Sequence, residues 1–187
     1  HYRILGKIVN KITEKNPLLF QKQEKLKEEI FKTIKKGENE KMEFKSTFRT
    51  NLHTNEIDRK IEYSVLKTLV AFMNSKGGTL LIGINDSGEI IGIEKDKFES
   101  KDNYALHLTN ILKTKIGKKF FNLMNFRFNE IDNKTILTID CEKSNTPVFI
   151  RSPTNEEEFY IRIGPSSIQI KGSELIDYIE KNFKKNK

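Results

Sequence analysis

Three acidic residues and one lysine have side chains suited to phosphodiester chemistry. Glu38 and Glu43 are five positions apart, Lys45 follows Glu43 by two, and Asp86 lies on a turn after an apolar run. Carboxylates bind Mg²⁺ or Mn²⁺, which orient water and stabilise charge on a cleaved phosphodiester. Lys45 lies on the same strand face as Glu43 and can meet a phosphate. Spacing alone does not bring these residues together, and solvated loop acids with a turn-capping aspartate remain the alternative.

Two segments contain these residues and indicate how they are positioned. Residues 38–46 read ENEKMEFKS, in which Met42 to Lys45 is typical of a strand. Residues 74–88 read NSKGGTLLIGINDSG, which indicates a helix end, a double glycine, a buried strand and an acidic turn. The pattern G-x-x-x-x-G-K-[ST] is absent from the chain, so the glycine pair indicates a tight helix-to-strand junction rather than a phosphate loop.

Taken together and in this order, the motifs resemble the Schlafen AlbA-2 module over about residues 37–183. The resemblance implies a nucleic-acid-binding module of a larger regulatory or defence protein. Schlafen members that cut RNA carry a glutamate pair at this spacing before Phe-Lys, and an aspartate after the Gly-Gly strand. Glu38, Glu43 and Asp86 match those positions, so the resemblance also implies an alternative. The alternative is a Mg²⁺- or Mn²⁺-dependent nuclease in which the three acids bind metal and Lys45 joins the catalytic residues.

The distribution of charge bears on the partner. A net charge of +8 is typical of proteins that bind nucleic acid. However, residues 37–170 hold 19 basic and 19 acidic side chains and are neutral. The excess lies in residues 1–36, with net +6, and residues 171–187, with net +2, where solvated helix faces explain it without a ligand.

One interior stretch departs from this neutrality. Residues 103–129 contain no acid and five cations, which are Lys113, Lys115, Lys118, Lys119 and Arg127. A folded loop with these charges can follow a phosphate backbone, and solubility alone explains them equally well. The sequence therefore predicts a candidate surface for DNA or RNA without indicating any base that it reads.

Two further arginines are candidates for phosphate contact. Arg49 lies in the polar loop from Thr47 to Asn55. Arg162 lies in FYIRIG, which resembles the aromatic-x-Arg-x-Gly element of the family. Because Arg162 alternates with apolar neighbours, we expect it to face away from the core, where a phosphate contact and a salt bridge suit it equally.

Apolar periodicity predicts the fold class. Apolar residues recur every three or four positions from Ile57 to Met73, which indicates a helix with one buried face. The other predicted elements are a hairpin of Thr79 to Ile84 with Glu89 to Ile93, a helix over roughly Asp102 to Ile116, a hairpin around Asp132-Asn133, strands at Pro147 to Ile150 and Phe159 to Ile163, and a helix capped by Ser173 that ends near Phe183. Because most strands are linked as hairpins, we predict an α+β fold with a mixed, largely antiparallel sheet flanked by helices.

The N-terminal residues indicate a helical appendage. An apolar stripe from Ile4 to Ile12 predicts one helix, and Leu26, Ile30 and Ile34 predict a second that ends near Gly37. We therefore predict an appendage of residues 1–36 and a domain of residues 37–187. The appendage has too few heptads to indicate a coiled coil, and a homodimer through these helices is a candidate assembly.

The remaining composition excludes several classes of protein. No apolar run approaches 18 residues, so we expect no membrane partner. The single Cys141 cannot form an internal disulfide, and a buried cysteine in a reducing cytoplasm is expected. No His and Cys cluster has the spacing of a zinc site.

Overall fold

A computed structural model describes residues 17–183 of the chain, and the predicted helix from Ile4 to Ile12 lies outside the described residues. The chain divides into two compact units, His1–Gly37 and Glu38–Lys187. In the first unit, helix α1 spans Pro17–Lys35, as its apolar spacing predicts. That residues 1–36 are an appendage to a separately folding domain stays a prediction.

Strands and helices are mixed along the second unit. Its helices are α2 (Arg59–Asn74), α3 (Lys101–Lys115) and α4 (Gly172–Phe183). Its strands are β1 (Met42–Lys45), β2 (Thr50–Asn51), β3 (Glu56–Ile57), β4 (Gly78–Ile82), β5 (Met124–Ile131), β6 (Lys134–Cys141), β7 (Ile150–Arg151), β8 (Glu157–Glu158), β9 (Tyr160–Ile163) and β10 (Ser166–Gln169). Two 3₁₀ turns cover Ile93–Asp96 and Lys118–Leu123. Within residues 17–183, every helix is too short or too polar to span a bilayer.

A four-stranded mixed sheet is the centre of this unit. Its strand order is β1-β4-β6-β5, in which β1 and β4 are parallel and the other neighbours are antiparallel. The predicted α+β class with a largely antiparallel sheet is therefore confirmed. Glu43 lies opposite Leu80, and Leu80 lies opposite Ile139, so the Glu43 side chain is on the same sheet face as these core residues.

The main core forms where α2 and α3 cover this face. Val65, Leu69 and Phe72 of α2 are fully buried, as is Leu112 of α3. The junction from α2 to β4 leaves no space for a side chain, because a Cβ at Gly78 would lie 2.5 Å from the Phe72 ring. The glycine pair therefore has the junction role that the sequence predicts.

Two predicted strands are shorter in the structure because other groups bind their backbones. The amide and carbonyl of Val148 bond to the Asn74 side chain, which leaves Ile150–Arg151 as the strand. After β4, the amides of Ile91 and Gly92 both donate to Gly83 O, so the predicted hairpin reduces to one bridge between residues 84 and 90.

The predicted boundaries of two helices are also corrected. Helix α2 starts at Arg59 rather than at Ile57, because the Asp58 carboxylate caps it by accepting the Lys60 N–H at 2.8 Å. Helix α4 starts at Gly172, so Ser173 lies inside the helix and does not cap it.

A buried carboxylate fixes the loop that follows β1. Asp96 is fully buried and accepts hydrogen bonds from the backbone amides of Phe48, Arg49 and Thr50 at 2.8, 2.8 and 3.1 Å, and from the Tyr104 hydroxyl at 3.3 Å. Burial raises the pKa of Asp96, and the three amide donors oppose that rise. One side chain thus sets the conformation of the loop from which β2 starts.

We expect Asp96→Ala to lower the free energy of unfolding by about 3 to 5 kcal/mol, because three amides lose their acceptor. Urea unfolding followed by circular dichroism measures this loss. Asp177→Ala is the control, since Asp177 is exposed on α4, and we expect it to change stability by less than about 0.5 kcal/mol. Equal stability of the two variants would contradict this role of Asp96.

Candidate functional site

Glu43, on β1, lies between two cationic side chains, those of Arg162 and Lys45. Its Oε2 accepts a hydrogen bond from Arg162 Nη2 at 2.6 Å, and its Oε1 pairs with Lys45 Nζ. The Arg162 and Glu43 side chains are only 1% and 9% exposed. Both carboxylate oxygens are therefore engaged by positive charge in a buried setting.

Arg162 binds the open edge of β1. Its guanidinium donates to the carbonyls of Asn39 and Met42 at 2.9 and 3.1 Å, and it lies over the Phe72 ring at 5.0 Å. Its own amide donates to Ser75 Oγ at 2.8 Å. The expectation that Arg162 faces away from the core is wrong, because β9 packs against α2 and the guanidinium is buried there. The salt bridge gives Arg162 a structural partner, and its contact with nucleic acid stays a prediction.

Glu38 caps the same edge. Its Oε1 accepts the Phe44 amide at 2.8 Å, in the middle of β1. In the four-stranded sheet, β1 is an outer strand, whose outward amides and carbonyls have no neighbouring strand to bond. Glu38 and Arg162 supply partners for those groups, so both residues stabilise the strand that contains Glu43.

Lys45 and Asp86 line one pocket of about 310 Å³ at the carboxyl ends of β1 and β4. Thr50 and His53 contribute to the same pocket. The turn at this position is held by Asn85, whose Oδ1 accepts from Ser87 Oγ and the Glu89 amide, rather than by Asp86. The pocket thus brings together Lys45 and Asp86, two of the four predicted catalytic residues. Lys45 also pairs with Glu43, a third member of that set.

The predicted metal ligands are not grouped as a Mg²⁺ or Mn²⁺ centre among the described residues. Among residues 17–183, no group of three or more His, Cys, Asp or Glu side chains is placed to hold a metal ion. Glu43 is held by two cations, and one oxygen of Glu38 accepts an amide. The metal-binding role of Glu38, Glu43 and Asp86, and the catalytic role of these three with Lys45, therefore stay predictions from resemblance.

A basic surface forms at the end of α3, and we define it as Lys113, Lys115, Lys118, Lys119 and Arg151. Lys113, Lys115 and Arg151 line a pocket of about 320 Å³, with Phe149 and Glu157 beside them. Lys118 and Lys119 belong to the 3₁₀ turn that follows α3. The carbonyl end of a helix favours nearby cations, which stabilises this arrangement before any ligand binds.

Among the described residues, the lysines of the basic surface have no acidic partners. Within residues 17–183, none of the four forms an ion pair, although Lys115 Nζ donates to the Ser152 carbonyl at 3.2 Å. Lys113, Lys118 and Lys119 are exposed, and Lys119 lies over the Phe120 ring at 4.7 Å. Their charges are available to a ligand in solvent.

The other two predicted cations are already engaged. Arg127 pairs with Asp140 at 2.5 Å on the surface. Arg49 donates to the Asp96 carbonyl at 3.0 Å and lies over the Phe98 ring at 3.5 Å. These contacts give both arginines structural partners, and their contact with nucleic acid stays a prediction.

Sequence reasoning missed Arg151 as a member of the basic surface. It lies outside the acid-free stretch and joins the lysines only because β7 packs against α3. No local motif marks it, so the signal is the tertiary contact itself.

Comparison with known proteins defines the class of the domain. The family model described as "Schlafen, AlbA_2" matches residues 38–171, and the chain belongs to this family. The family is associated with nucleic-acid binding. A search of curated proteins finds no match.

One solved structure shows a similar fold. The DIP2311 protein from Corynebacterium diphtheriae has a TM-score of 0.53 at 18% identity, over 76% of this chain and 24% of that one. This chain thus spans about a quarter of DIP2311. The N-terminal domain of a RecG-related protein from Nitrosomonas europaea has a TM-score of 0.47 at 18% identity, over 78% of this chain and 93% of that one.

We expect Glu43→Gln to lower the free energy of unfolding by about 3 kcal/mol, because it leaves the buried Arg162 without its counter-ion. Thermal or urea unfolding measures this change. Glu40→Gln is the matched control: Glu40 forms an exposed pair with Lys76 at 2.9 Å, and its loss should cost less than about 1 kcal/mol. Unchanged stability in Glu43→Gln would show that the ion pair is not structural.

Proposed function

We propose that this chain binds the phosphate backbone of DNA or RNA through the basic surface, as a module of a larger regulatory or defence protein. The observation that carries the proposal is a group of four lysines at the end of α3, with Arg151 beside them. Within residues 17–183 these lysines have no acidic partners. Membership of a family associated with nucleic-acid binding supports the same partner.

The chemistry of the basic surface favours backbone contact over base reading. Lysine ammonium groups are flexible point charges, which attract phosphates without the fixed geometry that distinguishes bases. Release of counterions from the nucleic acid drives this kind of binding, so its affinity falls steeply with salt. We therefore expect similar affinity for unrelated sequences of equal length.

Charge reversal of Lys113, Lys115, Lys118 and Lys119 to Glu tests the proposal. We expect weaker binding to every oligonucleotide, and a salt slope smaller by up to about 4, because each lost phosphate contact removes roughly one released counterion. Fluorescence anisotropy with labelled single- and double-stranded DNA and RNA, between about 50 and 200 mM salt, measures both quantities.

A second quadruple variant controls for net charge. Lys25, Lys60, Lys95 and Lys181 are exposed, and none forms an ion pair within residues 17–183. Their reversal to Glu changes the total charge equally but leaves the basic surface intact. Equal losses in the two variants would refute a localised binding surface.

A metal-dependent nuclease is the alternative function, and the common pocket of Lys45 and Asp86 favours it. Incubation of the same oligonucleotides with Mg²⁺ or Mn²⁺ tests this alternative. Cleavage that disappears in both Glu43→Gln and Asp86→Asn would support it, provided that both variants remain folded. If the chain neither binds nor cuts, a protein-interaction module becomes the better interpretation.

A further inference from the structure

A second polar pocket lies at the opposite end of the parallel strands. It has a volume of about 230 Å³ and is lined by Ser75, Lys76, Lys143, Arg162 and Asn182, among others. Gly78 at the start of β4 pairs with Cys141 at the end of β6, so Lys76 and Lys143 flank two adjacent strand ends. We propose that this pocket binds a phosphate group. None of its residues belongs to the basic surface, so the proposal does not rest on the proposed function.

Arg162 provides the first reason for an anionic ligand. Its side chain is only 1% exposed, and its Nε–H has no hydrogen-bond partner among residues 17–183. A buried N–H without an acceptor is rare in proteins and costs free energy. The other nitrogens of the guanidinium donate to protein atoms, so Nε–H is the nitrogen that lacks an acceptor in a side chain that lines the pocket.

The lysines provide the charge. Lys143 is exposed and has no ion pair within the described residues. Lys76 pairs with Glu40 at 2.9 Å, but both side chains are exposed, so this pair is weak and easily exchanged for another anion. Two ammonium groups match a phosphate monoester, which carries a charge of about −1.5 to −2 at neutral pH.

Neutral donors complete the pocket. Ser75 Oγ accepts the Arg162 amide, which leaves its own hydroxyl hydrogen free to donate. Asn182 Nδ2 uses one N–H on the Tyr178 carbonyl and retains a second. Apart from Glu40, the polar groups are therefore chiefly donors, which suit the acceptor oxygens of phosphate.

Titration of the ¹⁵N-labelled chain with inorganic phosphate tests the pocket, with chloride used to hold ionic strength constant. We expect saturable shifts of the Arg162 Nε–H signal and of the Ser75 and Lys143 amides. The double variant Lys76→Ala/Lys143→Ala should bind about tenfold more weakly or worse, because two charge-assisted contacts are lost. These two lysines are exposed, so their removal should leave the fold intact.

Lys60→Ala/Lys95→Ala is the matched control, since it removes two exposed cations outside the pocket. Its affinity for phosphate should equal that of the unmodified chain. The proposal fails if the two double variants bind equally well, or if the Arg162 Nε–H signal stays unchanged through the titration.

Competition identifies the source of the phosphate group. An oligonucleotide with a 5′-phosphate that displaces inorganic phosphate, where its 5′-hydroxyl counterpart does not, identifies a terminal phosphate. Equal displacement by both identifies a backbone phosphodiester, and displacement by neither identifies a free phosphate ion. Each result supports the pocket, and loss of the basic-surface lysines should leave phosphate binding unchanged.

Discussion

The buried ion pair between Arg162 and Glu43 joins parts of the chain that are 119 residues apart. Burial of two charges is costly unless hydrogen bonds satisfy the rest of each group. Here the guanidinium also binds the carbonyls of Asn39 and Met42, so one side chain of β9 is tied to the edge of β1 by several contacts. Removal of Glu43 would leave the buried guanidinium without a carboxylate, whereas removal of Arg162 would leave Glu43 paired with Lys45 alone. The pair is therefore a constraint on the whole sheet edge.

This constraint gives a structural explanation for the glutamate pair of Glu38 and Glu43. Glu38 precedes Phe44 by six residues and caps its amide, and Glu43 faces the opposite way to meet Arg162. A glutamate pair at this spacing thus satisfies an outer strand on both its edge and its inner face. A carboxylate held by two cations is a poor metal ligand, because a metal ion would have to displace them. The same residues that suggest a nuclease therefore have a sufficient structural explanation.

Local sequence patterns predicted the helices and strands better than the long-range contacts between them. The periodicity of α2 and the turn signal at Asp132-Asn133 are local, and the structure contains both the helix and the hairpin of β5 and β6 around that turn. The contacts of Asp96 with residues 48–50 span about 46 to 48 positions, and no local pattern records them. Arg162 shows the same limit, since alternation predicts a strand but not that α2 covers the face that contains Arg162 while α4 packs on the opposite face.

Pairing of charges, rather than their number, determines where the surface is positive. Residues 37–170 are neutral by count, yet many of their acids are engaged internally. Asp96 binds amides, and Glu62 pairs with His107 at 2.5 Å. Burial alone would raise the pKa of Glu158, but hydrogen bonds from Tyr63 and Tyr160, with nearby lysines, hold it below its usual value. These acids are bonded to groups other than the lysines at the end of α3, and those lysines have no acidic partners among the described residues. A neutral segment can therefore present a localised positive surface, which regional charge counts do not reveal.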